Sequence, residues 1–240
     1  MFFHRKTLKK SILTVYRNTY GGFKLTRFIK GKMFEHVIKN SLLNIYTGKS
    51  FVMPEKNSYY MPDYYYIPEK YDKYQQVEQE NLVVCLGTMN RFKLLDPTID
   101  AFRKMKYPLY IAGKFYDEEW KKSLESKLTD NIKLEDKYLD SEEYLDIFAK
   151  AKYCIIPYDK GMYNMRTSGV LQECIFTKTI PLTFDWFLEQ NESLGLAVKD
   201  LSDVNDELLY NYDAEAYKAW CDEQIHTRYN RENICKELIE

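Results

Sequence analysis

Arg166, Ser168, Gly169 and Glu173 fall within eight residues, in the stretch Y-C-I-I-P-Y-D-K-G-M-Y-N-M-R-T-S-G-V-L-Q-E-C-I-F-T-K-T-I-P-L-T from Tyr153 to Thr183. Their types and spacing suit an anion. Serine is a preferred N-cap, and glycine lets the backbone come close to a ligand. A helix beginning near Ser168 would point its unpaired N–H groups, and the positive end of its dipole, into the space above it. Glu173 follows about one turn later on the face that Gly169 begins. A carboxylate there can accept two sugar hydroxyls. A phosphate cradle beside a hydroxyl-reading acid suggests a nucleotide-sugar site.

Such a helix needs a strand on either side. Tyr153–Pro157 and Thr179–Thr183 are short apolar runs that supply both, so the stretch forms half of a βαβ unit and implies a parallel sheet. The same rhythm starts at Asn81. Leu82 to Leu86 is a buried-strand run ending at Gly87, and the loop T-M-N-R-F-K then brings Arg91 and Lys93. A helix follows from Asp96-Pro97, cap and then proline at the first helical position, to Lys106. Pro108 to Ala112 predicts a second strand, Trp120 to Leu128 a helix, and Ile132 to Leu134 a third strand. Ser141-Glu142-Glu143 caps a helix running to Ala151. Beyond Thr183, Phe184 to Gln190 reads as a helix, Leu194 to Val198 as a last strand, and 204–210 and 214–238 as helices. Repeats of this kind with short loops predict a Rossmann-like, doubly wound parallel sheet over residues 81–240. Ligands of such sheets bind beyond the carboxyl ends of the strands. The loops Gly87-to-Lys93 and Asp159-to-Ser168 lie at that edge and can converge on one diphosphate.

Residues 1–80 have a different character. Ile12, Val15 and Tyr16, then Phe28, Phe34, Val37 and Ile38, recur near a 3.6 spacing, which predicts mostly helical structure divided at Gly21-Gly22 and Gly31. A short strand or two fits Ser41 to Val52. Residues 53–80, rich in Tyr, Pro and charge, read as an extended linker. Its six tyrosines between Tyr59 and Tyr71 either pack onto the domain or form an aromatic platform. Residues 1–50 hold 11 Lys/Arg against one acid, Glu35, a net +10, whereas the rest of the chain carries −11. A basic, aromatic-bearing amphipathic arm suits an anionic membrane surface, although a solvated helix face would have the same composition. The acidic remainder and the absence of a recognised binding motif argue against a nucleic-acid partner.

With 45% hydrophobic and 30% charged residues, the 240-residue chain can bury an ordinary core. It contains no run of 18 apolar residues, and Arg5, Lys6, Lys9 and Lys10 interrupt any signal-peptide core. Five cysteines without C-x-x-C spacing predict reduced thiols in a cytoplasmic protein. Three scattered histidines argue against an imidazole metal site, so neither a metal nor a cofactor is expected.

From Asn81 onward the chain resembles the C-terminal, donor-binding domain of GT-B glycosyltransferases of the retaining family-4 type. The matching pieces are L-V-V-C-L-G-x5-K, T-I-D-A-F, P-L-Y-I-A-G, E-E-Y-L-D-I-F-A-K-A-K-Y-C-I-I-P-Y, S-G-V-L-Q-E-C, T-I-P-L-T and G-L-A-V-K-D-L-S-D-V, in the family's order across about 150 residues. The resemblance implies that Lys93 contacts the donor diphosphate, that Ser168 and Gly169 lie beneath the phosphates, and that Glu173 binds the nucleotide ribose. Arg91 and Arg166 are further diphosphate candidates. The family's arginine normally follows the glycine directly, where this chain has Thr88, and Met165 stands where many members have a glutamate near the transferred sugar. The catalytic residue is therefore unassigned. A complete N-terminal domain in this family needs ~150 residues or more, so residues 1–80 correspond to a partial acceptor-side segment and linker. The expectation is a glycosyltransferase acting on a lipid-linked or polysaccharide acceptor, cytoplasmic and peripheral at the inner membrane face. The alternative is a nucleotide-sugar-binding subunit that needs a partner chain.

Overall fold

The structure, a computed structural model, describes residues 5–16 and 24–239; Gly21-Gly22 lies outside them. Two runs, V-V-C-L and Y-C-I-I, organise the larger sheet. They form the centres of β4 (Glu80–Leu86) and β7 (Ala151–Ile156), and every side chain from Val83 to Leu86 and from Tyr153 to Ile156 is buried. Burial on both faces is what a parallel sheet covered by helices demands. β5 (Leu109–Gly113) and β6 (Ile132–Asp136) extend the sheet on one side, and β8 (Ile180–Phe184) and β9 (Leu196–Val198) on the other. The order is β6-β5-β4-β7-β8-β9, with all pairs parallel. This is the doubly wound order in which the crossover direction reverses between the first and fourth strands. The expected Rossmann-like unit is present, and its switch point lies between β4 and β7.

Helix boundaries follow local chemistry. Asp140, one residue ahead of the expected cap, accepts from the backbone N–H groups of Glu142 and Glu143, both at 2.9 Å, and starts the helix Ser141–Lys150. Asp117 caps Glu118–Glu125 by accepting from Trp120 N at 2.9 Å. Asp96, read as a cap from the sequence, lies inside the helix Leu95–Phe102. Its carboxylate accepts from Trp120 Nε1 (2.9 Å) and Lys127 Nζ (2.7 Å). The helix begins early because Leu94 N is already tied to Pro157 O at 2.7 Å. The region 214–238 is two helices, Ala214–His226 and Arg231–Ile239.

The N-terminal segment contains a second parallel sheet, β1 (Ile12–Val15), β2 (Leu43–Tyr46) and β3 (Ser58–Tyr60), in that order. Ile12–Val15 was expected within a helix. It is instead an edge strand, since I-L-T-V is rich in residues that favour a pleated surface. The helix Lys24–Asn40 connects β1 to β2 and runs through Gly31 without a break. A side chain at Gly31 would meet nothing within 4 Å, so the glycine costs only its propensity, about 1 kcal/mol. Residues 53–80 are not merely extended. They supply β3, the turn of helix Pro68–Tyr71 and a tight turn at Asp72–Tyr74. Two of the tyrosines pack on the larger unit, Tyr71 4.9 Å and Tyr66 5.6 Å, centroid to centroid, from Phe176, which also meets Tyr229 at 5.2 Å, while Tyr59, Tyr64 and Tyr65 are exposed. The linker thus descends along the helix Gly169–Thr177, and Gln79 Nε2 donates to Lys178 O at 3.2 Å.

Polar contacts among the described residues help hold the small sheet on the large one. Arg228 lies over the rings of Tyr60 (5.4 Å) and Tyr229 (5.5 Å), and its Nε donates to the Tyr60 hydroxyl at 2.7 Å. Lys49 pairs with Glu192 at 3.1 Å. The Thr47 and Thr167 hydroxyls meet at 3.1 Å, which brings the end of β2 against the loop after β7.

Candidate functional site

The two loops predicted to converge do so. Lys93 and Tyr158 form an isolated antiparallel bridge, closed by Leu94 N to Pro157 O (2.7 Å) and Asp159 N to Phe92 O (2.9 Å). The loop after β4 is shaped by Gly87, whose φ of +94° favours glycine, and by Asn90, whose side chain accepts from Phe92 N at 3.0 Å. Lys93 is 6% exposed. Its ammonium donates to Leu86 O at 2.6 Å and lies 3.9 Å from Met89 Sδ, and no carboxylate pairs with it among the described residues. A buried cation held by a single carbonyl leaves donor capacity for an incoming anion.

The loop after β7 is held from both ends. Asp159 caps its single turn of helix by accepting from Met162 N at 3.1 Å. Tyr158 and Tyr163 stack at 3.6 Å, 11° apart, and Arg166 lies 5.7 Å over Tyr163. Arg166 Nε is buried without a hydrogen-bond partner. Gln190, from the helix Asp185–Asn191, fixes the loop backbone: its Oε1 accepts from Met165 N at 2.8 Å and its Nε2 donates to Arg166 O at 3.0 Å. Met165 has φ +56°, a conformation that costs a non-glycine residue about 1 kcal/mol or more. Its side chain packs on the cluster of Val15, Ile38, Tyr46 and Phe51 beneath the small sheet. The position where the resemblance has an acid is therefore an apolar strut between the two sheets.

Ser168 is the N-cap of Gly169–Thr177, with Oγ accepting from Leu171 N at 3.4 Å and lying 3.5 Å from the Tyr158 hydroxyl. The amides of Gly169 and Val170 are the first two of the helix and have no intrahelical acceptor. Gly169 is required for close approach: a Cβ there would lie 2.7 Å from Cε2 of Tyr64, which reaches over the helix tip from the linker. One turn on, Glu173 is largely buried. Its Oε2 accepts from the Tyr144 hydroxyl at 2.7 Å. Burial lifts the Glu173 carboxyl above its usual range, and the Tyr144 hydrogen bond and the nearby Lys70 charge oppose that lift.

Arg91 is the predicted site residue whose charge is already committed. It forms an ion pair with Asp117 at 2.8 Å and lies 5.7 Å over Trp120. The Trp120 amide first, and then Arg91, hold Asp117 below the usual carboxylate range. Sequence reasoning missed Tyr64, Tyr144 and Gln190. Each acts from an element remote in sequence, and only the six-tyrosine linker hinted at one of them. Among the described residues no group of three or more His, Cys, Asp or Glu is arranged to hold a metal ion, and no helix is long and apolar enough to cross a membrane.

Two loops and one capped helix tip meet at the switch point of a parallel sheet in a Rossmann-like α/β protein, at the carboxyl edge where ligands of such sheets bind. The fold is that of the Rossmann-like half of GT-B glycosyltransferases. The chain superposes on AviGT4, a glycosyltransferase involved in avilamycin A biosynthesis, at TM-score 0.63 and 13% identity, covering 82% of this chain and 61% of that one. It matches Anabaena Alr3699/HepE in complex with UDP at TM-score 0.68 and 11% identity, over 95% of this chain and 70% of that one. It matches a UDP-forming α,α-trehalose-phosphate synthase from Burkholderia xenovorans in complex with glucose-6-phosphate at TM-score 0.64 and 11% identity, over 94% and 65%. The chain thus spans roughly two thirds of their lengths. No family model matches the sequence, and no curated protein matches it at the sequence level.

Proposed function

We propose that the protein binds a nucleotide diphosphate-sugar and transfers the sugar, as a GT-B glycosyltransferase or the donor-binding half of one. The observation that supports this is the bridge between Lys93, whose buried ammonium has no carboxylate partner among the described residues, and Tyr158, which opens the loop leading to Arg166 and the capped tip of the helix Gly169–Thr177, with Glu173 one turn along that helix. Glycosyl transfer places growing negative charge on the departing diphosphate. Preformed cations and helix amides in a partly dry site stabilise that charge, with no reorganisation needed at the moment of reaction. Lys93, Arg166, Ser168 and Gly169 hold the diphosphate and Glu173 accepts ribose hydroxyls; Arg91, bound to Asp117, sits on the rim. The shared fold supports this reading, since one protein with it holds UDP. Retention of configuration follows from the family-4 resemblance.

The acceptor is a lipid-linked or polysaccharide sugar met at the cytoplasmic membrane face. Leu25, Phe28, Ile29 and Met33 line one side of the helix Lys24–Asn40 and are all exposed, next to Lys24 and Arg27, which suits an anionic lipid surface. A second reading, a donor-binding subunit without activity alone, is favoured by the apolar Met165 strut in place of an acid. Turnover by the purified chain excludes it. Isothermal titration with UDP, GDP and their sugars tests the main proposal: Lys93→Ala and Glu173→Ala each weaken binding, and unchanged affinity in both refutes the site.

A further inference from the structure

Glu173 is surrounded on several sides. Its own helix contributes Cys174, the helix Ser141–Lys150 contributes Tyr144, and the linker contributes Tyr64, Lys70 and Tyr71. Lys70, the one cation of this set, does not come within ion-pair distance, and among the described residues the one hydrogen bond to the carboxylate is the 2.7 Å bond from the Tyr144 hydroxyl to Oε2. Oε1 takes no partner there. Tyr144 is itself fixed, with its ring packed 5.5 Å from that of Phe148. Facing an ionised carboxylate, a tyrosine hydroxyl can only donate. The bond therefore favours the charged form, restrains a flexible side chain and leaves one oxygen without a partner among the described residues.

We propose that Tyr144 is the positioning residue of the donor site: by holding Oε2 it aims Oε1 of Glu173 at the ribose hydroxyls of a nucleotide diphosphate. This rests on the donor-binding function proposed above. It also refines the expectation that the Glu173 carboxylate accepts two sugar hydroxyls, because one oxygen is shared with the protein. The freedom removed in advance is freedom the ligand need not remove on binding.

The test compares wild type, Tyr144→Phe, Glu173→Gln and the double variant, using UDP and GDP and their 2′,3′-dideoxy counterparts. Tyr144→Phe should weaken the ribonucleotide that binds roughly five- to tenfold. It should leave the dideoxy form unchanged and add nothing to Glu173→Gln. Equal losses for both nucleotides would reduce Tyr144 to a packing residue and overturn the proposal. A second measurement needs no ligand: carbon-13 NMR titration of the Glu173 carboxyl. Removing the hydroxyl should raise its midpoint, and an unmoved midpoint overturns the positioning role. If Glu173→Gln leaves both ribonucleotides unaffected, the donor reading fails and takes the ribose contact with it, while the titration still decides whether Tyr144 governs Glu173.

Discussion

Lys93→Met should make the protein more heat-stable and poorer at binding nucleotide. The side chain is 6% exposed, and its ammonium has one strong hydrogen bond, 2.6 Å to Leu86 O, and no carboxylate partner among the described residues. Replacing a buried ion pair with well-packed apolar side chains of similar volume is often neutral or stabilising by about 1–4 kcal/mol, and a buried ion without a partner has no pairing to lose. Leaving the Leu86 carbonyl without its donor costs about 1–3 kcal/mol. At the midpoints of these ranges the difference favours methionine by about 0.5 kcal/mol, which for a chain of this size raises Tm by about 1–2 °C. Against that, a charge-assisted contact to phosphate contributes about 1.5–3 kcal/mol, so UDP or GDP should bind roughly 10- to 150-fold more weakly. Calorimetric melting with and without nucleotide reads both effects: the apo midpoint rises and the ligand-induced shift shrinks. A fall of several degrees in the apo midpoint, with the ligand shift intact, would mean that Lys93 is structural and that the argument from its missing partner is wrong.

Gly169→Ala places a methyl 2.7 Å from the Tyr64 ring and should destabilise by about 1 kcal/mol. In a Tyr64→Ala background the same change should stabilise by about 0.5–1 kcal/mol, because only the unfolded-state entropy difference remains; denaturant melts of the four proteins give the sign. Gly113→Ala drives its Cβ into the Gly87 carbonyl at the end of β4, where neither backbone can give way, and should cost more than about 3 kcal/mol or abolish folding. Burial raises the Glu173 carboxyl above its ordinary value of 4.5, with opposite consequences for binding and stability. Ribose needs the carboxylate, so donor affinity falls as pH drops and begins to fall above pH 4.5. The group's contribution to folding is complete below its unfolded value and is lost as pH rises through the raised one. Glu173→Gln should flatten both profiles, as measured by titration calorimetry and by melting across pH 4–8.

The sheet was legible because its strands are short apolar runs between turn residues, with Leu82–Leu86 of β4 and Tyr153–Ile156 of β7 apolar without a break. The convergence of the loops at Lys93 and Tyr158 followed from topology alone. Other features depend on distant partners. Asp96 has the position of a cap, but Trp120 and Lys127 take its carboxylate. Ile12–Val15 fits a helical spacing, yet pairing with Leu43–Tyr46 makes it a strand. Arg91 has the right type and loop for phosphate, and only the position of Asp117, 26 residues on, reveals its commitment. Tyr144 and Gln190 bear no local signal at all, since a hydrogen bond across helices leaves no periodicity.

The central claim is that a diphosphate sits on the tip of the helix Gly169–Thr177. Nitrogen-15 NMR with the chain titrated by UDP or GDP tests it directly. The account predicts that the largest amide shifts fall on Gly169, Val170 and Leu171, with Lys93 and Glu173 next. Shifts centred instead on the cavity of about 570 Å³ lined by Tyr66, Lys178 and Arg231, with the helix tip silent, would contradict it.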